Sequence, residues 1–75
     1  MSYTQALSEY LAGTTQVAFA QDAGITQASV SRYAAGERFP NRDAAEKIDR
    51  ATGGKVSLAL WRAEMADRLG LGEAA

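Results

Sequence analysis

Residues 15–40 read TQVAFAQDAGITQASVSRYAAGERFP, and this stretch decides the fold. Thr14 or Thr15 suits a helix N-cap, where a side-chain oxygen accepts a backbone N–H of the first turn. From Gln16 to Ala23, Val17, Ala20 and Ala23 form one stripe at helical spacing, with Phe19 beside it. Gly24 breaks the pattern, Ile25 stands alone as an apolar residue, and Thr26 offers a second cap. A further helix from Gln27 to Ala35 puts Val30, Tyr33 and Ala34 on one side and Gln27, Ala28, Ser31 and Arg32 on the other. Two short helices joined through a glycine meet the need of a helix-turn-helix, which crosses at roughly 90–120° through a turn of about three or four residues. Gly24 supplies the positive φ that a Cβ resists. Ala20 is small where the helices approach, and Phe19, Ile25, Val30 and Tyr33 suit the wedge that fixes their angle.

The flanks extend the same pattern. Leu7, Tyr10 and Leu11 share a face of a first helix from Ser2 or Tyr3 to Ala12, which Gly13 should end at positive φ. Residues 36–41 form a loop in which Pro40 biases Phe39 away from helix and Asn41 can cap the next helix. Arg42–Thr52 then reads as that helix, with Ala44, Ala45, Ile48 and Ala51 inside, stopped by Gly53 and Gly54. Beyond it Val56, Leu58 and Leu60 alternate like a strand, while Leu58, Trp61, Met65 and Leu69 repeat like a helix. Composition favours helix from Ser57 to Leu69, with an edge strand over 55–60 as the alternative. The expected fold is all-α: a four- or five-helix bundle forming one domain over residues 1–70, with 71–75 as a frayed tail.

A chain of 75 residues has room for one small core. It holds neither cysteine nor histidine, so disulfides, thiolate metal sites and histidine-based acid–base chemistry are excluded. Asp43, Glu46 and Asp49 alternate with Lys47 and Arg50 in the manner of a solvated helix face, not a catalytic pair. No enzyme activity, cofactor, metal or small-molecule ligand is expected. The N-terminal residues lack a secretory signal and no apolar run suits a membrane span, so a soluble cytoplasmic protein is expected. Net charge is −1, but it is unevenly spread. Residues 1–31 hold Glu9 and Asp22 and no cation, whereas 32–55 hold six cations against four anions.

The outward face of the second helix of the pair carries base-reading chemistry. Gln27 can pair in bidentate fashion with adenine and Arg32 with guanine, Ala28 can touch a thymine methyl, and Ser31 can reach a base edge. Around it lie candidates for the DNA backbone: Gln16 at a free helix N-terminus, Thr26 and Ser29 at the start of the reading helix, and Arg38, Asn41 and Arg42 beyond its end.

On these residues the segment resembles the helix-turn-helix of the Cro/repressor, or XRE-like, family. Shared features are the Thr15-Gln16 start, Ala20, Gly24, the Thr26-Gln27 start, Val30 and the Gly36 ending. Arg42–Thr52 and the ATGGKVSLALW stretch (51–61) resemble the smaller Cro-like repressors and the YdaS-like antitoxins of that class. The resemblance implies a lambda-repressor-like fold and double-stranded DNA as partner, with Gln27, Ala28 and Arg32 at base edges and Gln16 at phosphate. It further implies a bacterial or phage-encoded, nucleoid-associated repressor, and the small DNA surface that one such module buries predicts a homodimer on a near-palindromic operator. Leu58, Trp61, Met65 and Leu69 either cover the domain's own core or form a stripe joining two subunits. The low net charge leaves a second reading open, a protein-interaction module such as an antitoxin or phage adaptor built on the same scaffold.

Overall fold

A computed structural model describes residues 2–70 as five helices and no strand. They are α1 (Tyr3–Leu11), α2 (Gln16–Ala23), α3 (Gln27–Ala35), α4 (Arg42–Thr52) and α5 (Leu58–Arg68). The fraying expected of 71–75 lies outside the described residues. Among those described, no helix is long and apolar enough to cross a membrane.

Local chemistry sets the helix starts. Ser2, Thr15, Thr26, Asn41 and Ser57 each accept the backbone N–H three residues on, satisfying a donor the helix itself leaves unpaired. Each such cap contributes about 1 kcal/mol. The cap at Ser57, together with the Asp49 carboxylate that accepts the Leu58 N–H at 2.8 Å, starts a helix where the alternation 56–60 suggested a strand. Val56, fully buried, belongs to the core below that start.

Gly24 closes α2 at φ 74°, with its own N–H and that of Ile25 both donating to the Ala20 carbonyl. A Cβ at this position would meet nothing within 4 Å, so the cost of a side chain there is conformational and not steric. Gly24→Val is therefore expected to destabilise the fold by more than about 1 kcal/mol, because a β-branched residue strongly resists positive φ. Gly24→Asn should lose less. Paired chemical-denaturation curves check this, and equal losses would point to some cause other than φ. Gly13 does not take the expected part. Its φ is not positive, and α1 instead ends through Ala12 in right-handed geometry, its N–H shared between the Ser8 and Glu9 carbonyls.

α2 and α3 pack on each other, α1 rests on α3, α4 on α2, and α5 closes the bundle against α4 and α1. Leu7, Phe19, Val30, Ile48 and Val56 fill the centre, with alanines 6, 20, 23, 44 and 45 where helices come close. Two expectations about faces are corrected. Val17 is 48% exposed and off the inner stripe of α2, because the Phe19 ring takes that side, edge-on to Tyr10 at 5.6 Å. In α4, Thr52 is buried and Ala51 only partly, since the Thr52 hydroxyl accepts the Val56 N–H at the α4–α5 turn. Of the two readings open for Trp61, its burial favours cover of the domain's own core: it is only 8% exposed, and its indole N–H donates to the Pro40 carbonyl at 2.8 Å.

Tyr3 ties the N-terminus down. Its ring is buried against Phe39, its backbone N–H donates to Glu64 of α5 at 2.9 Å, and its hydroxyl has no hydrogen-bond partner among the described residues. Burial, with smaller contributions from Tyr33 and Asp49, pushes its pKa well above the usual 10.0. The folded state thus holds this proton more tightly than the unfolded chain. Stability from this group is present in full below pH 10 and falls as the pH rises beyond it. Tyr3→Phe should leave neutral-pH stability unchanged or slightly raised, since it removes only an unpaired buried hydroxyl, and should blunt the alkaline loss. Thermal melts across an alkaline pH series test both halves. A substantial destabilisation at neutral pH would mean that the hydroxyl is bonded after all.

Candidate nucleic-acid interface

α3 is held by one side. Val30 and Tyr33 are buried, and the Gly36 N–H closes the helix on the Arg32 and Tyr33 carbonyls. With that side fixed, Gln27, Ala28, Ser31 and Arg32 all stand exposed on a contiguous outer surface. Arg32 makes no ion pair with Asp22 or Glu37, and the described residues show none for it elsewhere. Its guanidinium fork is open to act as a bidentate donor.

The start of α3 is wired more tightly than its sequence suggests. Thr26 Oγ1 accepts the Ser29 N–H at 3.0 Å and donates to Ser29 Oγ at 2.9 Å. Thr26 is thereby committed to the cap, and the half-buried Ser29, the acceptor of the pair, keeps its own O–H to donate elsewhere. At α2, Thr15 Oγ1 caps the Ala18 N–H at 3.1 Å, leaving the N–H groups of Gln16 and Val17 at the helix mouth. Gln16 itself is half-buried beside them.

Beyond α3, the loop 36–41 carries Arg38, exposed and without an ion pair among the described residues. Asn41 Oδ1 accepts the Ala44 N–H at 2.8 Å, which reserves its oxygen for α4 and leaves its amide N–H₂ for any outside acceptor. Arg42 opens α4 with its Nε 3.1 Å from Glu46 Oε1, the two side chains 62% and 45% exposed. An exposed pair of this kind contributes only about 0.3–0.5 kcal/mol, so a phosphate can displace Glu46 at little cost.

Two helices crossing through a left-handed glycine, the second with a buried inner side and an amide- and arginine-bearing outer one, are now fixed in geometry. A helix-turn-helix family model matches residues 5–61, from α1 through Trp61 in α5. The chain belongs to the Cro/XRE-like helix-turn-helix family. It is a DNA-binding helix-turn-helix regulator. Neither curated proteins nor solved structures give a significant match.

Apart from Gln16, Thr26 and Ser29 at the starts of α2 and α3, the expected DNA residues of this regulator fall into two groups. Gln27, Ala28, Ser31 and Arg32 share the open side of α3, while Arg38, Asn41 and Arg42 follow its C-terminal end. Of the expected dimer residues, Leu69 is 63% exposed, Leu58 and Met65 are partly buried against the core, and Trp61 is interior. Sequence reasoning missed the layer behind the loop. Phe39 stacks on Trp61 with ring centroids 6.2 Å apart and planes 9° apart, Tyr3 meets it edge-on at 5.6 Å, and Arg68 lies 4.2 Å over its face. One signal that could have found it was Trp61 itself, since a tryptophan that reaches the interior needs an acceptor for its N–H.

Proposed function

We propose that this regulator is a sequence-specific, Cro-type repressor that sets α3 into the major groove and occupies a near-palindromic operator as a homodimer. The observation that carries the reading is the open outer side of α3, where Gln27, Ala28, Ser31 and Arg32, unpaired among the described residues, are exposed together. Gln27 and Arg32 match adenine and guanine edges, and Ala28 a thymine methyl. Gln16, Ser29, Arg38, Asn41 and Arg42 grip the backbone, with Thr26 acting through its cap. Dimerisation is expected on energetic grounds: a single module of this size buries too little DNA surface for strong discrimination. Of the residues expected to join subunits, Leu69 is the exposed one, with Met65 one turn before it. Occlusion of polymerase from the operator is then the mode of action, in the cytoplasm of a bacterium or of a phage's host.

Selection of bound sites from random duplex DNA tests this directly. The expected product is two related half-sites about one helical turn apart, roughly 10 base pairs centre to centre. A single enriched half-site would refute the dimer. Binding without enrichment would refute sequence reading. No binding at low salt would favour a protein-interaction role, for which the net charge of −1 speaks.

A further inference from the structure

The loop between α3 and α4 is anchored at both ends. On the α3 side, the N–H groups of Glu37 and Arg38 both point at the Arg32 carbonyl, at 3.0 and 3.4 Å. On the other side, the fully buried Pro40 presents its carbonyl to the indole N–H of Trp61 at 2.8 Å. A buried carbonyl that lost this donor would be left unsatisfied, so the bond fixes where Pro40 sits. Phe39, one residue earlier, stacks on Trp61 and carries the Arg68 guanidinium over its ring. In this loop Arg38 is the one cation, exposed and without an ion pair among the described residues, beside the equally exposed Glu37, and one residue past Pro40 Asn41 caps α4. We infer that Trp61 is a positioning residue for DNA-backbone contact: through Pro40 it makes α5 set the height of Arg38 relative to the end of the reading helix. The inference rests on the proposed reading that this loop faces phosphate.

A merely structural tryptophan and a positioning one differ in how their loss combines with loss of Arg38. Trp61→Phe keeps an aromatic ring to fill the core and stack on Phe39 but deletes the N–H donor. In titrations of a mixed-sequence duplex over a salt series, below the melting temperature of every variant, it should bind about threefold or more weakly than the parent. The salt slope should flatten toward one fewer phosphate, a change of about one unit. Arg38→Ala should lose a similar factor, and the combined variant should bind no more weakly than Arg38→Ala alone, because the two act through one contact. Arg68→Ala, which releases Phe39 from an exposed position, should weaken binding in the same direction and serves if Trp61→Phe does not fold. Unchanged binding by folded Trp61→Phe, or by Arg68→Ala where that variant serves in its place, would overturn the inference. So would losses that multiply in the combined variant. If in those cases the parent binds and Arg38→Ala weakens it, the DNA-facing loop stands and only the positioning fails. A parent that does not hold duplex at low salt refutes the DNA reading itself.

Discussion

Phe19→Ala is expected to remove about 3–5 kcal/mol of stability, the usual cost of emptying a buried phenylalanine site. Phe19 is 2% exposed and sits on α2 edge-on to Tyr10 of α1, at the junction that holds the helix-turn-helix against the rest of the bundle. At roughly 0.05–0.15 kcal/mol per residue, a domain this small has only about 4–11 kcal/mol in total. The variant should therefore be largely unfolded at physiological temperature, or melt tens of degrees lower, and lose DNA binding with its fold. Val17→Ala, two residues earlier on the same helix, is the matched control: at 48% exposure it should stay within about 0.5 kcal/mol of the parent. Calorimetry on the pair separates them. A Phe19→Ala variant with near-parent stability would mean that α2 packs by its other side.

That contrast also marks where the sequence stops being legible. Helix limits were readable because their causes are local: Thr26 and Gly36 bracket α3 by a cap bond and a left-handed residue, and both follow from residue type. The inner side of α2 was not, because its eight residues make barely two turns and are apolar on both faces. Only the position of Tyr10 on a different helix decides for Phe19 over Val17. Asp49 misleads for the same reason. It has the spacing of a solvated carboxylate, yet it accepts the Leu58 N–H, a partner brought in by chain reversal, as Tyr3 is brought to Glu64. In the site, the exposed set on α3 followed from burying Val30 and Tyr33. Trp61 could not be assigned from spacing alone, since its acceptor, the Pro40 carbonyl, lies 21 residues away in the chain.

Arg32→Ala is expected to narrow the gap between operator and random duplex, and Arg42→Ala to leave that gap nearly intact. Arg32 stands on the open side of α3 with a guanidinium unpaired among the described residues, so its fork can meet a guanine O6/N7 edge. Losing such a contact costs about 1–3 kcal/mol, a factor of roughly 5 to 150, and only on sequences that present the guanine. Arg42 opens α4 beyond the loop, where it is 62% exposed and held only by Glu46 at 3.1 Å. A contact from there to phosphate is indifferent to sequence. Its loss should weaken binding to every duplex alike and lower the magnitude of the salt slope by about one unit. Glu46→Gln should move the opposite way, tightening binding to all duplexes by removing the carboxylate that competes for Arg42. Titrations of the three variants against operator and random duplex, each at several salt concentrations, give both readouts at once. If Arg42→Ala relaxed specificity while Arg32→Ala only flattened the salt dependence, α3 would lie along the backbone, and α4 would be the helix that enters the groove.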